Sequence, residues 1–349
     1  MQGKRLVFTA PRRAELQPFE IPAPGPYQVL VRTTCTLVSA GTELKAYLGA
    51  EWGGRNVSYP RSTGYSHVGI VEAIGSAVIG IKPGDRVATL KPHASHVLVD
   101  LSPVPVPPSA ALPAAQWPRA PDWLQPIPNG VSDEQATFAV LGSVAMHGVR
   151  KAGLHLDESC AIAGQGVVGQ LVGQLAKLNG ARPVIAIDPD AARLDASRRS
   201  GLDVQIQAPC AGAVDEVMAL TEGRGIDVGF DCTVTTQAFP GLLRLAAFEG
   251  RIIVVGSLLG TVEISLYEEL QLKELTIVGV HQPKAPGWWH PAAPWTQAAN
   301  RKAVLDLIAS GRLHVDHLIS HRVPAEQAPA LYEQMAQGPR GWLGVLFEW

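Results

Sequence analysis

The sequence predicts an α/β fold in which a doubly wound parallel sheet is joined to a smaller antiparallel β-barrel. Three observations lead there. Between Ser159 and Val280 six short aliphatic runs, 159–163, 184–187, 203–206, 226–231, 251–255 and 275–280, alternate with helical patterns, as successive βαβ units do. The first hundred residues read as half-buried strands punctuated by Pro and Gly. The chain has 349 residues, enough for two domains at roughly 150 residues each.

Taken in order, Gln28–Thr36 alternates, with Val29, Val31, Thr33 and Cys35 on one face. Segments 67–74 and 96–99 repeat that pattern, and Pro26 and Pro83-Gly84-Asp85 mark turns. From Leu101 to Asp122 seven prolines alternate with Ala and Ser and read as a surface loop. The α/β texture begins near Val131. After Val280 come two amphipathic helices, near 296–310 and 325–337, closed by Gly311 and Gly338 where a left-handed cap is common, and a last strand at 343–348. No internal repeat is visible.

Composition narrows the function. Lys plus Arg number 29 against 31 Asp plus Glu, a net charge of −2. With no basic excess, nucleic acid is not an expected partner. Charged residues are 17% of the chain, hydrophobic ones 46%, which describes a packed protein and not a disordered one. No apolar run approaches the roughly 18 residues of a membrane span, and the apolar stretch at the start is too short for a signal peptide. Cys35, Cys160, Cys210 and Cys232 are widely separated and form neither a disulfide framework nor a Cys-x-x-Cys knuckle. The expectation is a cytoplasmic enzyme with reduced thiols.

The strongest motif is Gly164-Gln-Gly166-Val167-Val168-Gly169, placed where the first strand of the βαβ series meets its helix. Gly164 permits the tight turn, Gly166 lets a pyrophosphate approach the backbone, and Gly169 lets helix and strand pack closely. The helix N-terminus offers N–H groups and a positive dipole to phosphates. Asp188 follows Gly169 by 19 residues at the end of Val184–Asp188, where a carboxylate binds ribose hydroxyls and repels a 2′-phosphate. The expected cofactor is NAD(H); Arg193 nearby keeps the phosphorylated nucleotide open. The sheet is then a Rossmann sheet.

Three further stretches, Ser39-Ala-Gly-Thr-Glu-Leu-Lys-Ala-Tyr-Leu-Gly49, Gly64-Tyr-Ser-His-Val-Gly69 and Gly84-Asp-Arg-Val87, complete a resemblance to the medium-chain dehydrogenase/reductase family across nearly the whole chain. The resemblance implies a GroES-like catalytic domain at 1–125, to which 282–349 returns, around a Rossmann domain at 126–281. It implies an active site in the cleft between them, with Val255 and Gly256 along the nicotinamide. It also implies a homodimer paired through the sixth strand, Leu275–Val280.

The departures from the family carry the chemistry. Where zinc-dependent members have Cys and His ligands, this chain has Ala40 and Tyr65, and the third ligand position falls at Ala139 or Val140. A catalytic zinc site needs three protein ligands and an open position, so no metal is expected. His93 with His96, and His314 with His317 and His321, are set aside as metal sites because strand alternation separates them. Tyr65, Thr42 and Lys45 are the expected catalytic residues, by their match to the family's lost ligand and its proton relay. Glu43 is read as a loop anchor and His67 as a core histidine. His281, Trp288 and Trp289, beyond the sixth strand, are the expected substrate wall.

Without a Lewis acid, hydride addition to an activated C=C, in an enone or enoyl thioester, asks least of the protein. Zinc-free quinone and enoyl reductases resemble this chain in that respect. The alternative is metal-free interconversion of a secondary alcohol and a ketone. Val38-Ser-Ala-Gly-Thr-Glu43 and Leu141-Gly-Ser-Val-Ala-Met-His-Gly-Val149 resemble the family branch that includes bacteriochlorophyllide hydroxyethyl dehydrogenases. A nucleotide-binding sensor or structural subunit is the reading from a different class.

Overall fold

The computed structural model of the chain describes residues 2–50, 56–103, 122–285, 287, 295–338 and 340–349. Most of the proline-rich loop, and Trp288 and Trp289, lie outside the described residues.

Six parallel strands form one sheet in the spatial order Val204–Ile206, Val184–Ile187, Cys160–Ala163, Ile226–Asp231, Ala246–Val254 and Thr276–Gly279. Central strands such as Cys160–Ala163 and Val184–Ile187 are buried at every residue, which is why they read as unbroken aliphatic runs. The strand order reverses between Cys160–Ala163 and Ile226–Asp231, so the ligand crevice of a doubly wound sheet opens beyond those carboxyl ends. The fifth strand begins at Ala246, earlier than its apolar run at 251–255; within it Glu249 takes a positive φ of 57°, and its register with Ile226–Asp231 shifts between Ile226 and Val228. The sixth strand is the sheet edge, and Ile277 on it is 39% exposed.

The second sheet has seven strands. Ile319–Pro324, Gly344–Glu348, Gln28–Leu37, Ser66–Ile74, Arg86–Thr89 and Leu124–Pro126 follow in order, and His96–Asp100 also pairs with Gln28–Leu37. The chain's last strand therefore lies antiparallel on Gln28–Leu37, with Phe347 opposite Thr36. Ile319–Pro324 and Gly344–Glu348 run parallel, an exception to the expected antiparallel pattern. Gln2–Ala10, Arg13–Glu20 and Arg61–Ser62 make a third, small antiparallel sheet.

The reading of the first hundred residues as β alone is corrected by the helix Ala40–Leu48. It starts at Ser39, whose N–H donates to the Glu43 carboxylate at 2.7 Å, and stops at Gly49, which has a left-handed φ of 73°. In the tail, the helices are Gln297–Ala309 and Ala328–Ala336, and Gly311 and Gly338 follow them with φ of 66° and 69°. Pro329 falls in the first turn of the second, where its missing N–H costs no hydrogen bond.

The helix Ala139–Ala152 joins the sheets. Its buried side chains, among them Leu141, Ala145 and Met146, share one apolar core with Leu37 and Val68 from the mixed sheet and with Ile162 and Phe230 from the parallel one. No helix of the described residues is long and apolar enough to cross a membrane.

Candidate active site

A cavity of about 1200 Å³ opens where the two sheets meet. Of the sequence-predicted residues, Thr42, Lys45, Tyr65, Gly164, Gly166, Val167, Val168, Asp188, Arg193, Val255, Gly256 and His281 all line it.

One part of the wall is backbone. Gly164 turns with φ of 88°, and its N–H bonds the Ile187 carbonyl at 2.9 Å. Gly169 does not itself line the cavity; a Cβ there would stand 1.9 Å from the Gly164 oxygen, so only glycine lets the helix Val167–Leu178 start this close to its strand. A Cβ at Gly166 would meet nothing within 4 Å, so its backbone is open to an approaching group. Asp188 follows the second strand. Its carboxylate, 3% exposed, accepts from the Gln165 N–H at 2.7 Å and the Asp190 N–H at 2.8 Å, and Arg193 stands 3.8 Å away. These residues fit a dinucleotide: an open glycine turn at a helix N-terminus, then a fixed carboxylate one strand away.

Another part is side chains. Tyr65 precedes the strand Ser66–Ile74, and its hydroxyl donates to Ser39 Oγ and stands 3.4 Å from Thr42 Oγ1. Burial pushes the Tyr65 phenol above its ordinary value of 10.0; Ser39 and Thr42 pull it back, and the Glu43 charge adds to the rise. The phenol is therefore a proton holder at neutral pH. Lys45 donates to the Ser257 carbonyl, and burial lowers its pKa. This bond ties the helix Ala40–Leu48 to the loop after the fifth parallel strand. Lys45 is 9% exposed, so it is part of the wall and not a solvated side chain at the rim.

Ala40 and Val140 line the same cavity as Tyr65, so the three zinc-ligand positions converge in space. Two aliphatic side chains and a phenol do not make the Cys, His or carboxylate set a tetrahedral zinc requires. Ala139, the other possibility for the third position, is buried in the core. Among the described residues no group of three or more His, Cys, Asp or Glu side chains could hold a metal ion.

Five other histidines have local partners. His67 lies between Thr33 Oγ1 at 2.8 Å and Thr89 Oγ1 at 2.9 Å, and burial, with the charge of His93, pulls its pKa to about 3. His93 bonds Thr36 at 2.7 Å and Glu43 at 3.0 Å, while His96 faces Glu72 at 3.2 Å. His317 bonds Ser200 at 2.7 Å, and His321 stacks on Trp342 at 4.0 Å. Glu43 is the anchor expected of it. Although burial raises its pKa, His93, Tyr332 and the Ser39 N–H hold it below the usual carboxylate range.

Sequence reasoning missed Ser39 and Arg301. Ser39 was legible as the hydroxyl before Ala-Gly-Thr. The signal for Arg301 was a cation on the apolar stripe of its helix, three and four residues before Val304 and Leu305. Both line the cavity.

Known proteins share this architecture. Residues 25–98 match the alcohol dehydrogenase GroES-like domain, and residues 167–298 match the zinc-binding dehydrogenase family. None of positions 40, 65, 139 and 140 falls in the latter stretch. The chain is 27% identical to an alcohol dehydrogenase of Cupriavidus necator, over 98% of this chain and 97% of that one. It is 28% identical to the L-threonine 3-dehydrogenase of Pyrococcus furiosus, over 94% and 93%. A candidate zinc-binding dehydrogenase from Sinorhizobium meliloti, solved bound to NADP, superimposes with a TM-score of 0.78 at 22% identity, covering 100% of this chain and 99% of that one. With both halves of the architecture matched, the chain belongs to the medium-chain dehydrogenase/reductase family of oxidoreductases.

Proposed function

We propose that the chain is a zinc-independent dehydrogenase that interconverts a secondary alcohol and its ketone, with NAD(H) as its preferred nucleotide. The observation that carries this reading is the hydrogen-bonded hydroxyl set of Tyr65, Ser39 and Thr42, standing in the cavity where the family's metal ligands would be. Relatives that act on alcohols support the alcohol–ketone pair over reduction of an activated C=C. The expected C=C reading finds no support among them.

A bound nicotinamide supplies or accepts the hydride. Tyr65 supplies the donor that a carbonyl oxygen needs and, in the reverse direction, the group that receives the alcohol proton. Ser39 and Thr42 fix the phenol's orientation and give its proton two hydroxyl oxygens to exchange with. Lys45, held across the cavity by Ser257, places a positive charge that favours negative charge developing on a substrate oxygen. Asp188 supports NAD(H) over NADP(H), because a 2′-phosphate there would meet a buried carboxylate. The exposed Ile277 edge supports a homodimer, for which light scattering should return twice the chain's 37.1 kDa; a monomer mass would refute it.

The test is NADH and NADPH oxidation with a ketone, an enone and an enoyl thioester, each with and without chelator. NADH oxidation by the ketone that chelator does not touch is the expected result. Activity with the alkene acceptors alone would move the function to C=C reduction. Loss of activity to chelator would overturn the zinc-free assignment, and nucleotide binding without turnover would favour a sensor.

A further inference from the structure

Arg301 has no part in the reaction just described. It lies on the helix Gln297–Ala309, with Val304 and Leu305 on the same side. Val304 packs on the helix that carries Val140, where a Cβ added to Gly142 would meet it at 2.6 Å. This packing carries Arg301 inward, to 4% exposure, on the wall of the Tyr65 cavity.

A guanidinium is seldom buried without a counter-charge, because its hydration is lost and nothing replaces it. Among the described residues none supplies one. Arg301 Nη2 donates to the neutral Gln297 Oε1 at 3.0 Å, the Trp123 ring lies 5.2 Å away, and Nε has no partner. Burial pulls its pKa to about 10, so it stays charged at neutral pH.

A second donor in the same wall is also unused. Gln282 lines the cavity, is 6% exposed, and its Nε2 has no partner. Gln297 links it to Arg301: its amide donates to the Pro283 carbonyl at 3.1 Å and the Ala285 carbonyl at 3.0 Å, and the Ala285 N–H closes the turn on the Gln282 carbonyl at 2.9 Å. Two residues that line the cavity thus each hold a buried donor without an acceptor, one charged and one neutral, on segments joined through Gln297. Buried donors in native proteins are rarely left so.

We propose that Arg301 and Gln282 form an anion subsite in this cavity and that the substrate is an oxo acid or its hydroxy acid, with the carboxylate held here. The reacting carbonyl rests on the dehydrogenase reading above; the anion does not. One guanidinium and one neutral amide balance a single negative charge, which suits a carboxylate better than a dianionic phosphate.

The test uses monocarboxylates from acetate to levulinate, methyl levulinate, and inorganic phosphate, titrated calorimetrically into the nucleotide-loaded protein. Wild type should bind a carboxylate of this series and discriminate against the ester and phosphate. Arg301→Gln should weaken carboxylate binding by roughly 30-fold or more while ester and nucleotide binding stay level, and Arg301→Lys should restore part of it. Gln282→Met removes one donor and leaves the charge, so it should cost severalfold and serves if Arg301→Gln does not fold. No carboxylate binding by wild type, or binding indifferent to these substitutions, overturns the subsite. In turnover assays, levulinate and methyl levulinate reduced equally well would sink the subsite and leave the dehydrogenase standing. Carboxylate binding that depends on Arg301, without turnover of any ketone, would sink the dehydrogenase reading and leave the subsite.

Discussion

The proposed nucleotide wall and the proposed substrate wall of one cavity are built by different means. Around Gly164–Gly169 the cavity surface is main chain: a positive φ, a close helix–strand approach and a helix N-terminus, all set within a few residues of one another. Around Tyr65 it is side chains from separate stretches: Ser39 and Thr42 at the start of one helix, Tyr65 before a strand, Val140 on a second helix and Arg301 on a third. A main-chain site is fixed by which residue types the backbone permits. A side-chain site is fixed only when distant segments pack.

That contrast predicts where each wall breaks, and the largest loss of nucleotide affinity belongs to the nucleotide wall. Gly169→Ala puts a Cβ 1.9 Å from the Gly164 oxygen, a clash that neither main chain can relieve without reshaping the turn. Overpacking of this kind costs about 1–3 kcal/mol or more. NADH fluorescence titration should show affinity reduced at least tenfold, together with a lower Tm. Unchanged binding would mean that the turn tolerates what its geometry forbids.

The pH response belongs to the substrate wall. In the proposed reaction alcohol oxidation needs Tyr65 ready to accept a proton, and burial holds the phenol above 10.0. The oxidative rate should therefore climb with pH, by about tenfold per unit below that value, while ketone reduction stays level through neutrality and falls only once the phenol ionises. A plateau in oxidation near pH 7 would assign the proton to another group.

Asp188→Asn is the smallest perturbation, since it keeps the shape of the residue. Removing the charge should move the NADH-to-NADPH ratio of kcat/KM toward NADPH by about tenfold, near 1.4 kcal/mol. A constant ratio would mean that Arg193, 3.8 Å away, already decides the preference.

The same contrast explains what the sequence made legible. The parallel strands, the glycine turn and Asp188 were readable because buried runs, glycine spacing and strand ends leave local marks. The helix Ala40–Leu48 was not, since its nine residues sit among strands and its start is stabilised by Glu43, which is held in turn by Thr63, His93 and Tyr332 from elsewhere in the chain. The convergence of Ala40, Tyr65 and Val140 needed the family resemblance to suggest it and the packing to place it. Arg301 had only its position on an apolar stripe, a pattern that does not say whether a cation meets solvent, an acid or a cavity.

The account turns on Tyr65. The most direct measurement is kcat for ketone reduction by Tyr65→Phe, with NADH affinity measured on the same preparation. Loss of the phenol hydroxyl should lower kcat by about 10²–10⁴-fold and leave nucleotide affinity within twofold of wild type. A Tyr65→Phe enzyme with an undiminished kcat would make the residue mere packing in the vacated metal site and contradict the account.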